Sequence, residues 1–400
     1  MSDSSISASP VSPLFSVGLR PFFLGGALWA AMAMILWLAA LSGHVDLPTT
    51  LDPVSWHSHA FLFGYLGASI SGFLLTAVPN WTGRPPLQGG ALIGLFVLWG
   101  AGRLLVLTSS WWPVALVAGV DLAVGVAIAG LVTREICIAR NWRNLVIVAM
   151  LLVMIVGNAV FHAEAARGDY PAQGYGVRIA LAAAVLMIAV IGGRILPVFT
   201  RNWMTQRAMV ELPPAPMQRF DVIALAALLI ALVAWVLHPD AVWVAFLLVL
   251  SGLLHLVRLW RWKGHRTLAE PLVTILHIAY AFIPLGALLV GLGTLTHIST
   301  AAAAQHLWMA GGIGVMTLAV MTRASLGHTG RSLTAGRAIN FIYLCILISV
   351  FSRVLAGIWF EYTEMLQYLS GISWILAFAG FFAAFAGPLT TSSRETGSKV

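Results

Sequence analysis

The sequence predicts an all-α, polytopic membrane protein of about twelve transmembrane helices, with both ends on the cytoplasmic side. Three observations predict it. Of 400 residues, 60% are hydrophobic and only 9% charged, whereas a soluble globular protein carries about 25% charged residues. Apolar runs of about 20 residues, the length that crosses roughly 30 Å of hydrocarbon, recur twelve times. Basic residues also alternate from one connection to the next, as the positive-inside rule requires.

The runs fall near 22–41, 57–79, 88–107, 111–132, 142–162, 176–199, 219–238, 241–260, 271–293, 300–322, 338–360 and 365–388. Connections such as "HVDLPTTLDP", "RPPLQGG" and "ELPPAPMQ" are short and rich in Pro, Gly and Asp, so none holds a separate domain. The organisation is a tail over 1–21, one twelve-helix transmembrane domain over 22–388 and a second tail over 389–400. "MSDSSISASPVSPLFSVGLRPFF" has no basic stretch leading into a short apolar core and small-residue cleavage site, so it reads as a cytoplasmic tail.

Of the 22 Lys and Arg residues, 18 lie in the tails or around the even-numbered connections. The other four are Arg103, Arg167, Arg178 and Arg353. Odd-numbered connections hold Asp46, Asp52, Glu164, Asp169, Asp240, Glu361 and Glu364. The net charge of +8 therefore follows membrane topology, and the chain offers no nucleic-acid face. Cys137 and Cys345 form no disulfide framework and no CxxC motif. No internal repeat is visible beyond a short echo between "GGRILPVFTRNW" and "VMTRASLGHTGR".

With this topology five histidines share the outer leaflet: His57 and His59 at the start of the second run, His162 at the end of the fifth, and His297 and His306 at the start of the tenth. Histidine in lipid needs a partner. Imidazole is the commonest nitrogen ligand for haem iron, copper and zinc, so His57, His59, His162 and His306 are candidate metal ligands. Residues i and i+2 of a helix point about 200° apart. His57 and His59 thus serve two centres, or one ligates while the other anchors. The stripe Gly64, Gly67, Ala68, Ser71 and Gly72 admits a flat ring or simply a neighbouring helix. His277 enters the ninth run from the opposite side, on the order of 20 Å from the outer group. It is either a ligand of a second centre or a core histidine bonded to a backbone carbonyl. His44, His238 and His265 fall in loops or at interfaces, and His255 reads as interfacial beside Arg258. His328 sits in the polar "LGHTGR".

Two charges inside the apolar runs require each other. Asp121 in "VALVAGVDLAVGV" and Arg103 in "LWGAGRLLVL" lie in the outer half of adjacent antiparallel runs and pair as a structural ion pair, in preference to a proton path. Arg353 in "VFSRVLAG" has no carboxylate nearby in sequence, and its guanidinium fork suits a haem propionate. Arg103 is a second candidate for cofactor contact. Arg194 snorkels toward the cytoplasmic side.

Four blocks carry a family resemblance: "GLRPFFLGGALWA" (18–30), "WHSHAFLFGY" (56–65), "GGRILPVFTRN" (192–202) and "LAVMTRASLGHTGR" (318–331). Set in twelve apolar runs, they resemble the NnrS family of bacterial cytoplasmic-membrane proteins across nearly the whole chain. The resemblance implies haem, of b type, and copper as cofactors. It also implies a role in nitric oxide metabolism, nitrosative-stress tolerance and denitrification, with nitric oxide or a related small nitrogen species as partner in the inner membrane. One position departs from the pattern: the family's His-any-His-Glu motif has Ala60 where glutamate is usual. The layout is similar, by analogy only, to subunit I of haem-copper oxidases, whose adjacent His-His pair is missing here. The alternative reading is a twelve-helix secondary transporter of a small solute or metal, although such proteins often show the internal repeats absent here. Whether the chain is an enzyme is left open by the sequence.

Overall fold

The computed structural model describes residues 11–296 and 300–392. Twelve helices among them are long and apolar enough to cross a bilayer. They are α1 (Leu19–Leu41), α2 (Pro53–Thr82), α3 (Gly90–Leu107), α4 (Val114–Ile138), α5 (Trp142–Arg167), α6 (Tyr175–Thr205), α7 (Arg219–Leu237), α8 (Val242–Arg261), α9 (Pro271–Thr296), α10 (Ala301–His328), α11 (Arg337–Leu355) and α12 (Phe360–Thr390). No strand occurs among the described residues. Helix is the forced answer for such runs, because hydrocarbon offers no partner to a backbone N–H or C=O and each helix satisfies its own. Helices α5 and α6 run past the ends of their apolar stretches and α11 stops short of 360. Hydropathy marks the part that crosses hydrocarbon, while the helix end is set by capping and solvation.

Consecutive helices pack as antiparallel hairpins, and α12 returns to lie along α1. The membrane-crossing part of α2 is 78% buried and that of α10 72%, against 28% for α3 and α4. Helices α2 and α10 are therefore the inner members, and they carry three of the candidate histidines. The described chain ends meet at one end of the bundle. There Arg20, buried within α1, donates from Nη1 to the carbonyls of Pro13 (3.0 Å), Leu389 (3.3 Å) and Thr391 (2.8 Å). His57, His59, His162 and His306 lie at the opposite end; His297 lies outside the described residues.

Helices α2 and α10 begin alike. The Asp52 carboxylate caps α2 by accepting from the Val54 and Ser55 N–H groups at 3.0 Å each, with Pro53 in the first turn. Thr300 Oγ1 caps α10 by accepting from Ala303 N–H at 3.1 Å. Directly after its histidine each helix widens into a π-helical stretch, Ala60–Tyr65 in α2 and Leu307–Val315 in α10. In α2 the widening has a visible cause. The indole N–H of Trp29 donates to Ala60 O (2.9 Å) and that of Trp99 to Gly64 O (3.1 Å), drawing both carbonyls out of the regular ladder. The first stretch is tied to α10 just past the second, where Tyr65 O–H donates to Thr317 Oγ1 at 2.6 Å, since Thr317 gives its own proton to Ile313 O.

Candidate metal centre

Two residues apart on the first turns of α2, His57 and His59 face different neighbours, as a separation of about 200° demands. His59 turns into the bundle and is fully buried. Its Nε2 lies 3.0 Å from Asp121 Oδ2, and His162 Nε2 approaches the same oxygen at 2.9 Å. Asn158 Nδ2 donates to that oxygen as well, at 2.8 Å, while Arg103 Nη2 donates to Asp121 Oδ1. Helices α2, α3, α4 and α5 thus converge on one carboxylate. Phe63 and Phe161, with ring centres 5.1 and 5.2 Å from His59, wall it off. Gly64 makes the Arg103 approach possible, because a Cβ there would lie 2.9 Å from Arg103 Nη1 and 2.7 Å from Trp29 Nε1.

The proton bookkeeping of this cluster leaves atoms over. A carboxylate only accepts, so both imidazoles donate Nε2–H to Oδ2, and in a neutral ring that leaves Nδ1 as the acceptor. His59 Nδ1 is then a bare lone pair, buried without a hydrogen-bond partner among the described residues. Arg103 Nε and Nη1 and Asn158 Oδ1 are also buried and unpartnered. Buried polar atoms are nearly always paired, so four exceptions in one cluster mark a place built for something more. One donor atom each from His59, Asp121 and His162 lie within 4.8 Å of one another. A metal ion would fit this set with each ring in its other tautomer, the proton on Nδ1 and the Nε2 lone pair free to ligate beside the Asp121 carboxylate.

A second cluster sits nearer the rim. His57, half-buried, packs against Trp37 (centroids 4.4 Å apart) and Phe61 (4.8 Å). Arg353 on α11 lies within electrostatic reach of both His57 and His306, and those two imidazoles are within reach of each other. His306 Nδ1–H donates to Ala302 O at 2.6 Å, which fixes the tautomer and leaves Nε2 as the lone pair.

His277 joins neither cluster. It is buried on α9 at the end of the bundle that holds the termini, with Nε2 2.7 Å from Thr200 Oγ1. A Cβ on Gly264 would lie 2.4 Å from its ring. Its partner is a side-chain hydroxyl, where the sequence reading offered a backbone carbonyl. His255 is fully buried among its neighbours. Its Nε2–H donates to Ala224 O (3.0 Å) and its Nδ1 accepts from Tyr280 O–H (2.8 Å). Arg258, counted by sequence among the basic flanks, is equally buried. It donates to Asp221 Oδ1 (2.9 Å), Ala189 O (3.0 Å) and Tyr280 Oη (2.7 Å). Asn158 was missed by sequence reasoning. Its signal was a lone amide in the apolar "LLVMIVGNAVFH", one turn before His162 and on the same helix face.

The family model described as "NnrS protein" matches residues 13–393 of the chain. No curated protein matches it.

Proposed function

This chain belongs to the NnrS family, and from that premise we propose that it binds copper and haem in the bacterial inner membrane and acts in nitric oxide metabolism and nitrosative-stress tolerance. The observation that carries the proposal is the convergence of His59, His162 and Asp121 from three helices within 4.8 Å. Two imidazoles and a carboxylate are a donor set that suits several first-row transition metals, and the family resemblance favours copper among them. The rim pair His57 and His306 suits haem, with Arg353 as the partner of a propionate. When bound, haem iron and copper would supply redox change and the binding of a diatomic molecule.

The chain's own residues do the rest. Asp121 orients both imidazoles, and Arg103 holds its charge in balance. Phe63 and Phe161 keep water from His59, and the Ala302 carbonyl holds the His306 tautomer. The carboxylate beside His59, which the family's usual pattern places next in sequence, here comes from α4, because Ala60 is a buried methyl whose carbonyl accepts from Trp29. Detergent-purified protein is expected to show a Soret band and to contain copper. The H59A and H162A substitutions should remove copper, and H306A should remove the Soret band. A colourless protein free of copper would overturn the proposal.

A further inference from the structure

A slot of about 60 Å³ runs between α2, α4 and α5 to the enclosed cluster. Its inner end is Asp121 and Asn158, its wall includes Phe63, and Gly67, Gly125 and Ile155 are half-buried where it opens. Gly67 lies about 20 Å along α2, so the mouth faces hydrocarbon and not water. Ordinary helix packing does not explain the gap. Along the small-residue stripe of α2, Gly64 is filled by Trp29 and Arg103 and Gly72 by Phe23, yet nothing lies within 4 Å of a Cβ placed on Gly67. At the far end Asn158, only 7% exposed, keeps its Oδ1 without a partner in the wall of the slot.

We infer that this slot admits and holds a small uncharged molecule of two or three non-hydrogen atoms, which dissolves in the bilayer and moves sideways to the His59–Asp121–His162 cluster. Size, polarity and position all favour that class. About 10–15 Å³ admits one water-sized molecule, so the slot takes a few such molecules in file and nothing resembling a porphyrin. Its only charged lining group, Asp121, is already matched by Arg103, which leaves nothing to draw an ion through apolar walls. The inference rests on the proposed function for its destination, but the slot itself needs no metal to be tested.

Crystals of the full chain pressurised with xenon are expected to show the gas between Gly67 and Asn158. Gly67→Leu and Gly67→Met should abolish that peak and keep the thermal midpoint, since the added side chain enters open space. Absence of xenon from the wild-type slot, its persistence in both variants, or ordered water filling the slot out to Gly67 would each overturn the inference. In copper-loaded protein, binding of nitric oxide at the copper, followed by stopped flow, should slow several-fold in Gly67→Leu at unchanged copper content; an unchanged rate would also overturn it. Protein without copper in either form would sink the proposed function, while the xenon result would still judge the slot.

Discussion

Arg103 with Asp121 and Arg258 with Asp221 are both buried ion pairs with histidines attached, and they differ in what they leave unmade. Around Arg258 the account closes: His255 uses both ring nitrogens, Tyr280 both donates and accepts, and Arg258 reaches three oxygens. Around Asp121 four polar atoms remain over. A closed network joins helices α6 to α9 and has no valence to offer. An open one, built from equally buried groups, is where a ligand can be accepted, at the cost of the two imidazole–Asp121 hydrogen bonds that it would replace.

The largest effect expected from this contrast is on stability. Arg258→Met strands Asp221 as a buried charge and should cost about 3–5 kcal/mol, read from unfolding in detergent, with no change in bound copper. Adding Asp221→Leu should restore much of the loss, because replacing both members of a buried pair is far milder than removing one. Next comes a matched pair of histidines. His255→Ala, losing two hydrogen bonds and packing, should cost about 2–4 kcal/mol and leave copper in place, whereas His59→Ala should cost the metal-free protein less and remove copper. Thr200→Val should cost about 1–3 kcal/mol by leaving His277 unpaired without touching metal content; loss of metal would turn His277 from packing residue into ligand.

The smallest effect lies in the loop between α6 and α7. Lys263 first, then Arg266, holds the exposed Glu211 carboxylate below its usual range. Its contribution is present above the ordinary carboxylate range and fades as pH falls through the lowered value. Because the group is exposed and screened, Glu211→Gln should lower the neutral-pH unfolding midpoint only slightly, and not at all at a pH below the lowered value.

The twelve helices were legible because lipid leaves the backbone one solution, and composition reports lipid directly. The opposed directions of His57 and His59 were legible from helix geometry alone. Asp121 was legible only in part: the pairing logic led to Arg103, but a carboxylate has room for several donors and sequence does not say which helices arrive. The packing of α2 against α4, helices not adjacent in sequence, decides that His59 joins His162 on one oxygen, and the reach of Arg258 from α8 to Ala189 on α6 likewise crosses a hairpin. The π-helical stretch of α2 was invisible even though the indoles that draw out its carbonyls come from the adjacent helices α1 and α3, since sequence does not say which backbone oxygen a neighbouring side chain will meet.

The enclosed cluster as a copper site is the claim on which the rest depends, and paramagnetic resonance of copper(II) in the full chain tests it most directly. The wild-type spectrum should carry splitting from two imidazole nitrogens. His59→Ala and His162→Ala should each remove one or release the metal, while His255→Ala and His277→Ala should leave the signal alone. A copper signal that survives the loss of both His59 and His162 unchanged would contradict it.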